Sequence, residues 1–145
     1  MNYLPVTHAK RIAITSFDEN KKDFVEWAYK HKDYLRDQDL YAMGKTSTAL
    51  SAVLQRDIKT IPSVLNGGDR MLMDMLRNGE IDVLILFFDT TTANRREKYI
   101  LDILQLAINK NMVVGSNRAT ADIIMCSLTA ETNQSSGIVK QFENQ

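Results

Sequence analysis

The feature that most constrains the fold is the apolar run IDVLILFF at residues 81–88. A strand covered on only one face alternates apolar and polar residues, but this run stays apolar from Val83 to its end. Parallel sheets carry helices on both faces, so their strands are apolar on both sides. The run therefore predicts a strand at or near the centre of a parallel sheet.

Short β-rich runs and helical patterns alternate along the rest of the chain. Strands are predicted at residues 11–17, 39–44, 58–64, 81–88 and 111–116, and helices at 18–35, 45–57, 67–80, 95–110 and 118–130. Parallel strands need crossover connections, and helices must cover both sheet faces. The pattern predicts an α/β fold, a three-layer α/β/α sandwich around a five-stranded, mostly parallel sheet. Pro62 indicates that the third strand lies at an edge or ends early.

The 145 residues predict one domain, with a core at about residues 10–130 and a polar tail at about 131–145. The 18 acidic and 18 basic residues leave no net charge to attract nucleic acid or a membrane. No apolar run spans a bilayer and no signal peptide is apparent, so a cytoplasmic location is expected. The single cysteine, Cys126, excludes an internal disulfide and a cysteine-based metal cluster, and is expected to be a small core residue.

Ligands of such a sheet bind in the crevice beyond the carboxyl ends of the strands. The segments that follow the predicted strands are therefore candidates for the site. They are SFDENK (16–21), MGKTS (43–47), SVLNGGD (63–69), FDTTTANRR (88–96) and SNRATAD (116–122). Each is short and polar, and several begin a helix.

The segment MGKTS combines a glycine, a cation and hydroxyl groups at a helix start, which suits a phosphate group. GKT also resembles the end of a Walker A loop, but that motif needs a glycine five residues before Gly44, where the chain has Asp39. Nucleotide hydrolysis is therefore not expected. Thr46 and Ser47 also fit a purely structural role as N-terminal caps.

The segment VLNGGDRM, residues 64–71, places Gly67 and Gly68 before a predicted helix and follows them with Asp69. Exposed amides and the helix dipole both favour negative charge at such a place. Asp69 itself carries a negative charge, so its presence at this place needs an explanation other than anion binding.

In this order and at this spacing, LYAMGKTS, GGD, IDVLILFFD and SNRATAD resemble methylglyoxal synthase and the regulatory domains that share its fold. The similarity runs from about Arg11 to Leu128. It implies a lyase without metal or cofactor that removes phosphate from dihydroxyacetone phosphate to give methylglyoxal. Such an enzyme needs a base, donors for an enediolate and a phosphate cradle. The resemblance also implies a homohexamer whose partner is a small phosphorylated metabolite.

The same resemblance assigns roles to individual residues. Asp69 matches the catalytic carboxylate, and Arg96 stands where the family has the histidine that polarises the carbonyl. The substrate- and phosphate-binding positions are Lys21, Gly44, Lys45, Thr46, Ser63, Gly67 and Gly68, and the site-shaping positions are Asp18, Asp89 and Asn117. Phe17 replaces a substrate-binding histidine, and Tyr99 replaces an aspartate.

Two functions of different classes fit this pattern. The first is a methylglyoxal synthase-type lyase with a divergent site, in which Asp69 is the base and Arg96 a permanent cation that cannot shuttle a proton. The second is a sensor or regulatory domain that binds a phosphorylated metabolite without turnover. Lyase or isomerase activity on another sugar phosphate is a third alternative. Arg118 is a further candidate for anion contact, whereas His8 and His31 are expected to be structural or solvent-facing.

Overall fold

The computed structural model describes residues 9–16, 22–63, 66–87 and 97–143. The strands are β1 (Arg11–Ser16), β2 (Asp39–Met43), β3 (Lys59–Ile61), β4 (Val83–Phe87) and β5 (Val113–Gly115). The helices are α1 (Lys22–Lys30), α2 (Lys32–Leu35), α3 (Lys45–Leu54), α4 (Gly68–Arg77), α5 (Glu97–Asn109) and α6 (Arg118–Glu143). Strands and helices alternate as the sequence predicts.

The five strands form one sheet in the order β3-β2-β1-β4-β5, and every neighbouring pair is parallel. The apolar strand β4 lies beside the central strand β1, and β3 lies at an edge, so both predicted positions are confirmed. The chain builds outward from β1 to β3 and then crosses to β4. This reversal places a topological switch point between β1 and β4, where sheets of this kind open a crevice at their carboxyl ends.

Helices cover both faces of the sheet, which explains why β4 carries no outward polar face. Val83, Ile85 and Phe87 belong to the core cluster under α1, α3 and α6. Leu84 and Leu86 belong to the cluster under α4 and α5. Successive side chains of a strand point to opposite faces, so a strand covered on both sides needs apolar residues at every position.

Helix α6 corrects two expectations. Cys126 is exposed and is not a core residue. The helix turns Ala121, Met125 and Leu128 towards the sheet, and the next residue after Met125 is rotated by about 100° from it, away from the core. The helical backbone also continues to Glu143, through most of the predicted polar tail. Within the described ranges, no helix has both the length and the apolar character needed to cross a membrane.

The predicted helix at residues 18–35 is divided into α1 and α2 at His31. The His31 imidazole is mostly buried, and its Nε2 lies 2.8 Å from Oδ1 of Asp122 on α6. His31 therefore has the structural role expected of it, because it joins α1 to α6. His8 lies outside the described residues.

Candidate functional site

The candidate site lies at the carboxyl ends of the strands, around the loops that lead into α3 and α4. The described residues include the predicted site positions of both loops. Other predicted positions fall outside the described ranges, and their roles stay predictions. These are Lys21, Arg96, Asp18 and Asp89, together with the substituted position Phe17.

Gly44 shapes the start of α3. Its backbone has φ 53° and ψ −127°, a conformation that side chains disfavour. Its N–H donates to the carbonyl of Ile61 at 2.9 Å, which ties the loop to β3. Gly44 provides no side-chain cap for α3, and the first N–H groups of a helix have no intrahelical acceptor. The start of α3 therefore offers donors to an anion, with Lys45 exposed beside them.

The hydroxyl residues of α3 join it to the sheet. Thr46 is buried, and its Oγ1 accepts a hydrogen bond from the N–H of Ser16 at 3.1 Å. Ser47 is also buried, and its hydroxyl lies 2.7 Å from that of Thr60 on β3. The sequence also allowed Thr46 and Ser47 to act as N-terminal caps of α3. Neither hydroxyl has that role, because Gly44 occupies the cap position. They fix the start of α3 against the ends of β1 and β3.

Ser63 connects the α3 loop with the α4 loop. Its carbonyl accepts hydrogen bonds from the N–H groups of Asn66 at 2.9 Å and Gly68 at 3.0 Å. Its hydroxyl accepts a further bond from the side-chain amide of Asn66 at 3.2 Å. On the other side, a Cβ added to Gly44 would lie 3.6 Å from the Cβ of Ser63. The structure therefore brings Gly44, Ser63 and Gly68 together, as a shared site requires.

Gly67 and Gly68, which precede Asp69, are each required to be glycine for a different physical reason. Gly67 has φ 86°, in the left-handed region that favours glycine. At Gly68 a Cβ would overlap the carbonyl oxygen of Pro62 and lie 2.6 Å from its carbonyl carbon. The chain can therefore turn sharply into α4 only without side chains. Asp69 then lies half-buried in the first turn, where the helix dipole favours its negative charge.

Tyr99 on α5 is the aromatic neighbour of this carboxylate. Its side chain is partly buried against the core cluster under α4 and α5, and its hydroxyl contacts the sulfur of Met43 at 3.8 Å. Burial raises the pKa of the Tyr99 phenol well above its usual range, and the negative charge of Asp69 raises it further. Tyr99 is therefore a neutral phenol whose ionisation is opposed by the charge of Asp69.

Asn117 and Arg118 lie beyond β5, at the opposite edge of the sheet from β3, with three strands between the two edges. The side-chain oxygen of Asn117 accepts a hydrogen bond from the N–H of Thr120 at 2.8 Å and so caps α6. Arg118 contacts Glu26 at 2.6 Å and Asp23 at 3.5 Å on α1. Arg118 thus pairs with two carboxylates, and its role as an anion contact stays a prediction.

An open cleft of about 510 Å³ lies outside this region, between α3 and the edge strand β3. Ser47 and Thr60 form part of its wall, and their mutual hydrogen bond separates it from the glycine loops. The cleft therefore lies at the side of the domain, away from the candidate site, which the hydrogen bonds of Ser63 define. Among the described residues, no group of three His, Cys, Asp or Glu side chains is placed to hold a metal ion.

Comparisons with known proteins agree on one family. No protein-family model matches the chain. A methylglyoxal synthase of Coxiella burnetii (strain RSA 493 / Nine Mile phase I) is 35% identical over 118 residues, which cover 81% of this chain and 82% of the relative. One from Clostridium beijerinckii is 33% identical over 115 residues, 79% of this chain and 97% of the relative. The crystal structure of methylglyoxal synthase from Elizabethkingia anophelis NUHP1 has a TM-score of 0.71 and 30% identity, and the match covers 81% of this chain and 77% of that one.

The chain belongs to the methylglyoxal synthase family. The all-parallel sheet has the fold expected of a methylglyoxal synthase. Within it the structure brings together the two loops that the resemblance assigned to phosphate and catalysis, through Gly44, Ser63 and Gly68. Asn117 is not joined to them by any contact among the described residues.

Sequence reasoning placed Ser16 in the first candidate segment, SFDENK, but gave it no role of its own, although its N–H contacts Thr46 at the methylglyoxal synthase-like site. The signal was weak: Ser16 is a polar residue at the end of an apolar strand. Tyr99 was noticed only as a substitution. The position of Tyr99 relative to Asp69 depends on how α4 and α5 pack together, and a local sequence pattern does not predict that packing.

Proposed function

We propose that this chain is a methylglyoxal synthase-type lyase that eliminates phosphate from dihydroxyacetone phosphate and gives methylglyoxal. The observation that carries the proposal is the junction at Ser63, which contacts Gly44 on one side and Gly68 on the other. A phosphate-binding helix start and a carboxylate therefore share one small site. An elimination that begins with proton abstraction beside a phosphate-bearing carbon needs both.

In this proposal, the phosphate group binds at the start of α3. The positive end of the helix dipole lies there, and the side chains of Thr46 and Ser63 lie beside it. The Thr46 oxygen accepts a hydrogen bond from the N–H of Ser16, which holds this residue at the start of the helix. Lys45 adds a positive charge at the exposed side, and Lys21 is proposed to add a second.

Asp69 is the proposed base. It removes a proton from the carbon beside the carbonyl, and the electron pair moves onto the carbonyl oxygen to form an enediolate. Arg96 is proposed to stabilise that oxygen. The enediolate then collapses, the carbon–oxygen bond to phosphate breaks, and the resulting enol takes up a proton to become methylglyoxal. A Cβ at Gly67 would meet no atom within 4 Å, so this glycine leaves space for the carbon skeleton near Asp69.

A second candidate function, metabolite binding without turnover, is favoured by Tyr99. This residue stands at a position where the family resemblance implies an aspartate, and its phenol stays neutral beside Asp69. A neutral phenol donates a hydrogen bond but does not accept a proton at neutral pH. A site that has lost carboxylate and histidine partners can still bind phosphate.

Phosphate release from dihydroxyacetone phosphate tests the first function. We expect the wild type to release phosphate and Asp69→Asn to do so about 10²–10⁴ times more slowly, because the base is lost while its shape is kept. The matched control is Asp74→Asn on the same helix, an exposed carboxylate that pairs with Arg77 at 3.1 Å. This control should retain the wild-type rate.

One outcome would contradict the lyase activity, and another would contradict the role of Asp69 as its base. If the wild type binds phosphate but releases none from the substrate, the second function is supported. If Asp69→Asn and Asp74→Asn both keep the wild-type rate, a turnover exists in which Asp69 is not the base.

A further inference from the structure

Ser16 ends the central strand β1 with a hydroxyl that is buried and unpartnered. The residue is 9% exposed, and among the described residues its Oγ has no hydrogen-bond partner. Buried polar groups are nearly always paired, and an exception in a folded protein commonly marks a place where a water, ion or ligand belongs. The Ser16 hydroxyl is such an exception at the carboxyl edge of the sheet.

The side chain of Ser16 faces the start of α3. Ile12 and Ile14 on the same strand point into the layer that contains α1, α3 and α6. Alternation gives residue 16 the same direction, at the level where α3 begins. The hydrogen bond from the Ser16 N–H to Thr46 Oγ1 fixes the end of β1 against the first turn of that helix. The unpartnered hydroxyl of Ser16 therefore lies on the face of the sheet that α3 covers, beside the first turn of that helix.

The other buried polar atom without a partner shows a different environment. Trp27 lies within the apolar core cluster, and the centroid of its ring lies 5.4 Å from that of Phe87 and 6.5 Å from that of Phe24. Trp27 is enclosed by core side chains, whereas Ser16 is the last residue of β1, at the carboxyl edge of the sheet beside the start of α3.

We propose that the Ser16 hydroxyl donates a hydrogen bond to a phosphate oxygen of the ligand held at the start of α3. Ser16 is then a binding residue for a phosphomonoester or for inorganic phosphate. This inference rests on the phosphate site of the proposed function and adds a donor from the central strand. A hydroxyl donor favours an oxyanion over an apolar or cationic group and adds no charge to the pocket.

Calorimetric titration of the full chain with inorganic phosphate tests this role. We expect Ser16→Ala to bind phosphate about tenfold more weakly, because a hydrogen bond to a charged acceptor is lost. In phosphate-free buffer the same variant should unfold at an equal or higher temperature than the wild type, since it removes an unpartnered buried hydroxyl. A purely structural serine would not separate these two readouts.

The matched control is Ser51→Ala on α3. Its hydroxyl already donates to the carbonyl of Arg56 at 2.7 Å. That variant should unfold at a lower temperature and bind phosphate as the wild type does.

Equal phosphate affinity of Ser16→Ala and the wild type would overturn the inference, as would a wild type that binds no phosphate. A marked loss of stability of Ser16→Ala without phosphate would also overturn it, because the hydroxyl would then have a partner within the fold. Failure of the lyase proposal appears differently, as phosphate binding without turnover of dihydroxyacetone phosphate. If turnover occurs, Ser16→Ala should raise KM about tenfold and leave kcat nearly unchanged.

Discussion

The two ends of the sheet use their polar groups in opposite ways. At the amino end, Arg11 at the start of β1 donates to Asp82, which precedes β4, through its backbone N–H at 2.9 Å and its guanidinium at 3.0 and 3.2 Å. Asp39 at the start of β2 pairs with Lys59 at 2.9 Å. At the carboxyl end, Ser16 keeps an unpartnered hydroxyl beside the start of α3.

This difference separates stability from function within one small domain. Paired groups at the amino end hold neighbouring strands together and leave nothing for a ligand. An unpaired buried hydroxyl at the carboxyl end costs stability, and folded proteins retain such a group mainly where a ligand uses it. The polar groups that matter for the proposed lyase should therefore be those whose removal changes binding more than folding.

The largest expected effect is at Gly68, because the turn into α4 at the carboxyl end of the sheet has no room for a side chain at this position. Gly68→Ala places a Cβ against the backbone carbonyl of Pro62, so the loop itself must move. We expect a loss of about 3 kcal/mol in the free energy of unfolding, measured by urea denaturation. The control, Gly67→Ala, meets no atom within 4 Å but keeps φ 86°, and should lose only about 1–2 kcal/mol. Equal losses would show that backbone conformation, and not the close approach, decides this turn.

A smaller effect is expected at Thr46, whose side chain is hydrogen-bonded although it lies at the carboxyl end of the sheet. Thr46→Val keeps the volume but removes the acceptor for the N–H of Ser16. A buried N–H left without a partner costs about 1–3 kcal/mol, so urea denaturation should show a loss in that range. Phosphate binding should weaken as well, because the start of α3 loses its attachment to β1. Thr48→Val, at an exposed position of the same helix, should change neither quantity.

The smallest effect is expected at the amino end, in the pH dependence of stability. The hydrogen bond from the Arg11 side chain lowers the pKa of Asp82 below its ordinary value of 3.8. A carboxylate with a depressed pKa stabilises the fold above the unfolded-state value, and this contribution is lost as the pH falls through the folded-state value. Because both side chains are more than a third exposed, the contribution should stay under about 1 kcal/mol.

Unfolding free energies measured from pH 6 down to pH 2, a range chosen to bracket the ordinary Asp pKa of about 4, test this contribution. Asp82→Asn should show a shallower fall below about pH 4 than the wild type, with unchanged phosphate binding. Asp33→Asn, whose side chain is 91% exposed, is the control and should follow the wild-type curve. An effect of Asp82→Asn on phosphate affinity would break the distinction between the two ends of the sheet.

Local patterns predicted most of the fold because they reflect local physics. The apolar run of β4, the proline after β3 and the glycines at the helix starts each indicate their structure through backbone or burial constraints. Cys126 was wrongly predicted to be a core residue because its neighbours in the sequence are apolar. Whether a helical residue points towards the core depends on how α6 is rotated about its axis relative to the sheet, and Cys126 points outward. The division of α1 from α2 at His31 likewise involves a partner, Asp122, that is distant along the chain.

The sequence by itself determined the order of strands and helices, the family and the two glycine loops, because periodicity, glycine positions and residue identity are local properties. Tertiary structure decided which polar groups became partners: Ser16 bonds to Thr46, Ser63 bonds to Gly68, and Arg118 pairs with carboxylates of α1. Hydrogen bonds act over about 3 Å, and only the folded sheet brings residues from distant parts of the chain within that range.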